Sequence, residues 1–347
     1  MITHPSHIII QNRQHQVYDL LAARESRLEE PWQSAFFDFL AAWYDDKSYI
    51  EVHTSGSTGA PKLIRLAKDF VAHSAQRTIN FFGLKPGDKV LHCLPSNFIA
   101  GKLMLVRALI GKLNLHLVNP STSFDFLAHE HYVFAALVVN QMQKLLHGAP
   151  HIPIDYILLG GSAIPQALET QLMDISSMCY SSYAMTETAT HIALRKLNRQ
   201  AANNYYRAFP DVRLSLDARN CLQIKMPGLE SKLITNDVAE LMDSHTFRIV
   251  GRADNCIICG GKKFFPEEIE QKLSAAIHQP FFIGSSPDDV LGEVLTLVVE
   301  APFSEEISAH VKQCCHTLLP KHEQPRQFIF TEEFPRTKNG KLKRFKL

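Results

Sequence analysis

Three short stretches combine side chains whose chemistry goes beyond packing. The first, Thr54-Ser55-Gly56-Ser57-Thr58-Gly59-Ala60-Pro61-Lys62, sets four hydroxyl residues, two glycines and a lysine in nine positions. That set suits a polyphosphate, because glycines let the backbone approach, hydroxyls and amides donate hydrogen bonds, and lysine supplies charge. It departs from the P-loop pattern: Gly59 and Pro61 stand in the wrong places and no Ser or Thr follows Lys62. A flexible surface turn is the ordinary alternative. The second, Tyr183-Ala184-Met185-Thr186-Glu187-Thr188, offers an aromatic ring to stack on a base, a hydroxyl for phosphate and a carboxylate for magnesium. One glutamate suffices there, since Mg²⁺ takes one or two carboxylates together with phosphate oxygens. A solvated turn would have the same composition. The third, Pro335-Arg336-Thr337-Lys338-Asn339-Gly340-Lys341-Leu342-Lys343-Arg344, presents Lys341 just after a turn-forming Asn-Gly. Such a lysine can stabilise negative charge developing in a transition state, although basic runs near termini are commonly frayed tails.

These stretches need elements to hold them. Residues 48–52 read as a strand leading into the first stretch, and 67–82 as a helix ended by Gly83. Apolar runs at 90–94, 113–118, 134–139 and 156–159 read as further strands, with helices near 102–110, 141–146 and 166–175. An extended run at 178–182 leads into the second stretch. Strands alternating with helices imply a mostly parallel sheet covered on both faces, with ligand loops beyond the strands' carboxyl ends. After about Leu214 the strands shorten and turns multiply, as at 221–226 and 232–234, which implies an antiparallel section. Past Gly251-Arg252-Ala253-Asp254 a compact α+β unit is expected, with helices at 266–277 and 305–318 and strands at 294–299 and 327–330.

Composition excludes several classes. The 36 Lys and Arg against 35 Asp and Glu give no basic footprint for nucleic acid. No run approaches the length of a membrane span, since Leu103–Leu117 is interrupted by Arg107, Gly111, Lys112, Asn114 and His116. Met1–His7 lacks the pattern of a secretory signal, and seven scattered cysteines do not read as a disulfide scaffold, so a cytoplasmic setting is expected. Cys256 and Cys259 have permissive zinc spacing, but Cys314 and Cys315 are adjacent on an expected helix and point apart, which argues against a metal site.

In this order the stretches resemble the adenylate-forming superfamily of acyl-CoA synthetases, peptide-synthetase adenylation domains and luciferases, over about residues 48 to 347. Gly160-Gly161-Ser162-Ala163 is similar to the superfamily's adenine-side loop. Thr235-Asn236-Asp237 is similar to its Thr-Gly-Asp, and Gly251 to Glu270 to its hinge and the start of its small domain. The resemblance implies a large N-terminal domain, residues 1–251, with mostly parallel sheets flanked by helices and a small antiparallel section. A small mobile α+β domain, residues 252–347, follows it. ATP, Mg²⁺ and coenzyme A would be the cofactor and co-substrates. Thr54, Ser55, Gly56, Ser57, Thr58, Gly59 and Lys62 would wrap the ATP phosphates, and Gly160, Gly161 and Ser162 would lie beside adenine. Tyr183 would stack on the base, Thr186 would contact phosphate and Glu187 would ligate Mg²⁺. Asp237, with Arg252 nearby, would bind ribose. Lys341 would bridge the acid and the α-phosphate, and Asp254 would be the hinge.

Within the superfamily, the chain resembles the short 2-succinylbenzoate–CoA ligases of menaquinone biosynthesis. Three features carry this: little sequence before Thr54, the Ile99-Ala100-Gly101-Lys102 stretch, and Thr190-His191-Ile192-Ala193-Leu194-Arg195 after the Glu187 loop. A second carboxylate on the substrate calls for a cation or strong donor in the acyl pocket, for which Lys102, Arg195 and His191 are candidates, with Phe98 as a pocket wall. A surface lysine, a solvated arginine and a structural histidine are the ordinary readings of those three. Ala184 and Asn236 stand where the superfamily has glycine, so local distortion without loss of function is expected there. Ligation of another carboxylate, loading of a carrier-protein thiol, and a non-catalytic nucleotide-binding relative are the alternatives. A shortened front leaves room for a second copy to cover an apolar face, so a homo-oligomer is allowed.

Overall fold

The computed structural model describes residues 5–28, 30–53, 62–120, 124–148, 152–198, 204–336, 342–345 and 347. They form two compact units, Met1–Ala163 with Gln171–Phe209, and Ile164–Thr170 with Pro210–Leu347.

The first unit opens with the hairpin β1 (His7–Ile10) and β2 (Arg13–Gln16), then helices α1 (Val17–Ala22), α2 (Arg24–Arg27) and α3 (Pro31–Tyr44). A second hairpin, β3 (Tyr49–His53) and β4 (Leu63–Ala67), leads into α4 (Lys68–Phe82). Next come β5 (Lys89–His92), α5 (Ile99–Gly111), β6 (Asn114–Leu117), β7 (Tyr132–Val138) and α6 (Val139–Gly148). After β8 (Ile154–Gly160) the helix α7 (Gln166–Leu172) crosses the division between the units. The first unit ends with β9 (Met178–Ala184), β10 (His191–Lys196) and β11 (Tyr206–Ala208).

Strands β9, β8, β7, β5, β6 and β1 lie side by side and parallel. Antiparallel strands flank this block, β10 and β11 at one side and β2 at the other. The continuous apolar runs of β7 and β8 suit strands covered on both faces. Helix α5 is buried along nearly its whole length, including Arg107. Helix α4 buries Val71, Ser74, Ala75, Thr78, Ile79 and Phe82, the spacing of one helical face. It stops at Gly83, whose φ of 64° is the left-handed conformation that ends helices.

One strand departs from the sequence expectation. Residues 49–53 do not join the parallel sheet but pair antiparallel with β4, His53 opposite Leu63 and Tyr49 opposite Ala67. The alternation in Tyr-Ile-Glu-Val-His, with Ile50 and Val52 buried and Glu51 and His53 exposed, is that of a half-buried antiparallel strand. The front hairpin and α3 have no counterpart in the sequence reading.

The second unit begins with four antiparallel strands, β12 (Arg213–Leu216), β13 (Cys221–Lys225), β14 (Leu233–Leu241) and β15 (Thr246–Arg252). The hairpin β16 (Ile257–Cys259) and β17 (Lys262–Phe264) and the helix α8 (Pro266–Leu273) follow. The rest is β18 (Phe281–Asp288), β19 (Gly292–Glu300), α9 (Glu305–Leu318) and β20 (Gln327–Thr331). The last three strands form a sheet with β19 central, antiparallel to β18 and parallel to β20. The compact units divide at 209/210, so β12 to β15 fall in the same unit as residues 252–347. The reason is packing: Phe265, just before α8, packs with Cys221, Val238 and Val250 of the antiparallel strands. Among the described residues no helix is long and apolar enough to cross a membrane.

Phe82 anchors α4 to the sheet, its ring 4.9 Å from Phe134 and 5.4 Å from both Tyr156 and Tyr180. Phe82→Ala is expected to lower unfolding free energy by about 3–5 kcal/mol, read from the urea midpoint of the first unit.

Candidate active site

The described flanks of the first stretch lie near the second. Thr54, Ser55, Gly56, Ser57, Thr58 and Gly59 lie outside the described residues, as does Lys341. Lys62 is described and is exposed, immediately before β4. The register of β3 and β4 sets the segment's two ends at His53 and Leu63, directly opposite each other. Strand β4 in turn packs against the single turn Thr186–Thr188 of the Glu187 loop.

That loop is built by β9 and its own hydrogen bonds. Thr188 is fully buried; its hydroxyl lies 2.7 Å from the Thr190 carbonyl and 3.0 Å from the Met185 carbonyl, and it accepts from the Met185 amide at 3.2 Å. Ala189 takes a φ of 62°, unusual for a residue with a side chain, and turns the chain into β10. Thr186 and Glu187 are left half-exposed, and the Glu187 carboxylate has no hydrogen-bond or ion-pair partner among the described residues. A half-exposed carboxylate with free lone pairs fits the demand of a magnesium ion that keeps phosphate and water ligands. Tyr183 at the end of β9 sets its ring 6.1 Å from that of Tyr206.

Close packing explains the glycines at the end of β8. A Cβ on Gly160 would sit 2.7 Å from Ser182 Oγ, whose hydroxyl donates to the Leu159 carbonyl at 2.9 Å. Gly161 has a φ of 89°, which favours glycine, and Ser162 is exposed beside it. Ala184 and Asn236 do not share this need, since neither has positive φ and both lie within strands. The β9–β10 pairing shifts register opposite Tyr183 and Ala184, between His191 and Ala193.

In the second unit Asp237 and Arg252 are register partners on β14 and β15, and Arg252 Nη1 donates to Asp237 Oδ1 at 3.0 Å. Arg252 Nη2 donates to Asp254 Oδ2 at 2.5 Å, so one guanidinium joins the expected ribose ligand to the expected hinge. Arg219 pins the same strand, donating to Asn236 Oδ1 at 3.2 Å and ion-paired with Asp217 at 2.8 Å. Arginines among the described residues on either side of Lys341 are held by acidic partners. Before it, Arg336 pairs with Glu300. After it, Arg344 donates to Glu270 Oε2 at 2.6 Å and to the Ile283 carbonyl at 2.9 Å.

The three cations and donors expected in an acyl pocket fall in different places. Lys102 turns toward α3, its ammonium 4.5 Å from the Phe39 ring centre, and burial pulls its pKa down to about 8. Phe98 caps the start of α5 and is 37% exposed. Arg195 is buried, its guanidinium 5.7 Å from the Tyr206 ring. His191 is buried at the start of β10, and there the structure adds a residue the sequence reading missed. Arg107, from the middle of α5, is 2% exposed and donates through Nη2 to Thr190 Oγ1 at 3.0 Å. It has no acidic partner among the described residues, and its Nε is buried without a hydrogen-bond partner. Desolvation pushes its pKa down to about 9 and holds His191 well below the usual histidine range, with the Arg107 and Arg77 charges adding to the effect on His191. The signal for Arg107 was its isolation, as a lone charge within the apolar run 103–110.

A parallel sheet with a phosphate-type segment, a carboxylate loop and a buried cation beside that loop is the frame of a nucleotide-dependent enzyme acting on an anionic substrate. The chain belongs to the AMP-binding enzyme family, whose model matches residues 4–225. It is similar to the 2-succinylbenzoate–CoA ligase of Listeria monocytogenes, 26% identical over 89% of this chain and 72% of that protein. Among solved structures it is similar to an acyl-CoA synthetase (AMP-forming)/AMP-acid ligase II-like protein from Dyadobacter fermentans. That likeness is 32% in identity, with a TM-score of 0.61, over 90% of this chain and 93% of the other. The O-succinylbenzoate CoA synthetase of Bacillus subtilis, solved with ATP and magnesium ion, shares the fold at a TM-score of 0.72 and 22% identity, over 84% of this chain and 68% of that one.

A buried cation without an acidic partner is retained against stability. Arg107→Met is expected to raise unfolding free energy by about 1–3 kcal/mol in urea titrations, while a drop would show that the guanidinium is compensated in the folded protein.

Proposed function

We propose that the chain is an ATP-dependent acid–thiol ligase that converts 2-succinylbenzoate, ATP and CoA to 2-succinylbenzoyl-CoA, AMP and pyrophosphate in menaquinone biosynthesis, in the cytoplasm. The observation that carries the choice of acid is Arg107. A buried guanidinium with spare donors beside the Glu187 loop calls for an anion, and 2-succinylbenzoate has a second carboxylate to offer. The names of the relatives agree with that choice.

A carboxylate is a poor acylating agent because its leaving group would be oxide. In the first step its oxygen attacks the α-phosphorus of ATP, and the bond to pyrophosphate breaks. In the second step the CoA thiol loses its proton to solvent, its sulfur attacks the acyl carbon, and AMP departs. Glu187 with phosphate oxygens would hold Mg²⁺, which neutralises phosphate charge when bound. Residues Thr54 to Lys62 would bind the β- and γ-phosphates. Tyr183 would stack on adenine beside Gly160, Gly161 and Ser162, Thr186 would meet phosphate, and Asp237 would take the ribose hydroxyls. The Asp237 carboxylate has Arg252 as an ion partner, so a ribose would share it with that guanidinium. Lys341 would offset charge on the α-phosphate in the first step alone. Movement of residues 252–347 about Asp254 would withdraw it before the second.

Acid-dependent pyrophosphate exchange with ATP tests this reading. Exchange is expected with 2-succinylbenzoate and to be at least ten-fold weaker with its analogue lacking the ring carboxylate; no exchange with 2-succinylbenzoate or any aromatic acid would overturn the assignment. Lys341→Ala is expected to slow exchange by about 10²–10³ while leaving thioester formation from supplied acyl-adenylate intact. Comparing CoA with a phosphopantetheinyl carrier protein as acceptor separates the carrier-loading alternative.

A further inference from the structure

Arg107 does not hold its place alone. Its Nη2 donates to Thr190 Oγ1 at 3.0 Å, and Thr190 Oγ1 lies 3.1 Å from His191 Nδ1. On the far side of the ring His191 Nε2 lies 3.4 Å from Thr78 Oγ1, and Thr78 Oγ1 lies 3.3 Å from the Ser74 carbonyl within α4. Proton bookkeeping leaves one arrangement that uses every contact. The Ser74 carbonyl can only accept, so the Thr78 hydroxyl proton points to it, and Thr78 must then accept from His191 Nε2–H. A neutral imidazole with its proton on Nε2 accepts at Nδ1, so Thr190 donates its hydroxyl proton there and keeps a lone pair for Arg107. Burial and the Arg107 and Arg77 charges hold His191 neutral, which this order requires.

Reversing any one link would set two donors or two acceptors against each other. Thr78 and His191 are fully or almost fully buried, so water does not substitute between them, while Thr190 is half-buried. We propose that Thr78 is a positioning residue that, through His191 and Thr190, fixes the Arg107 guanidinium for the second carboxylate of the acid and so sets substrate preference. This rests on the reading of Arg107 as that carboxylate's partner. Thr78 is on α4, Thr190 and His191 are at the start of β10, and Arg107 is on α5, so three elements are locked to one charge.

The test is pyrophosphate exchange with 2-succinylbenzoate and with its analogue lacking the ring carboxylate. Thr78→Val, which removes the hydroxyl and keeps the shape, is expected to raise KM for 2-succinylbenzoate about ten-fold, with kcat and the analogue's KM unchanged. Thr78→Ser is expected to restore KM. Thr190→Val cuts the same path next to Arg107 and is expected to repeat the effect, and it carries the test if Thr78→Val does not fold. Equal KM changes for both acids, or none, would overturn the proposal. Arg107→Met separates the two ideas: if it leaves the ratio of the two KM values unchanged, the reading of Arg107 is wrong, whereas a collapsed ratio with no Thr78→Val effect discards only the positioning role.

Discussion

A guanidinium cannot be taken out of water without return, and Arg107 is the point on which the first unit's polar interior turns. Its charge sits in the middle of the most deeply buried helix, with no carboxylate among the described residues to balance it. Desolvating such a charge is costly even where hydrogen bonds soften the loss. The neighbourhood is organised around that cost: a neutral imidazole, two threonine hydroxyls and a helix carbonyl, with the Arg77 charge also acting on the imidazole. Such an arrangement is unfavourable by itself, and an anion bound there would offset the cost, as where a site trades stability for selectivity.

The scaffold that permits this is the parallel block from β9 to β1, whose inner strands β7 and β8 bury apolar side chains on both faces. Helices α4 and α5 lie against each other beside it, each presenting polar residues inward at only a few positions. Packing of Phe82 against Phe134, Tyr156 and Tyr180 settles the placement of α4, and the hydroxyl of Thr78 inherits that precision one helical turn away. Tertiary packing thus reaches the site through the helix rather than through the loops.

Much of this was legible in the sequence, and the gaps have physical causes. Apolar period and a terminal glycine located α4 to within a residue, and the last helix, 305–318, matched at both ends. The motif loops identified the family because backbone approach and phosphate chemistry leave few residue choices. The hairpin of β1 and β2 was not legible, because its turn places Gln11 and Asn12 at φ of 48° and 65°, and Gln11 is no usual turn signal. The strand at residues 49–53 was legible, and its antiparallel pairing follows from an alternation of buried and exposed residues. Arg107 was seen only as an interruption of an apolar run, since sequence alone does not tell a buried arginine from a snorkelling one. Lys102 and Arg195 have the right chemistry for an acyl pocket, and their helix and strand positions set them beside Phe39 and Tyr206.

The front hairpin has a bearing on how the molecule meets its neighbours. A parallel sheet ending in β1 would expose a row of unpaired amides and carbonyls flanked by isoleucines, a template on which another chain could polymerise. Instead the chain folds back, and the outermost strand is Arg13-Gln14-His15-Gln16, hydrophilic on both faces. Asn12 and Asn114 lock the corner: the Asn12 backbone amide donates to Asn114 Oδ1 at 2.9 Å, and Asn114 Nδ2 donates to Asn12 Oδ1 at 2.5 Å. Four short polar residues thus act as a selvedge, finishing the fabric so that it does not unravel into aggregates in a crowded cell.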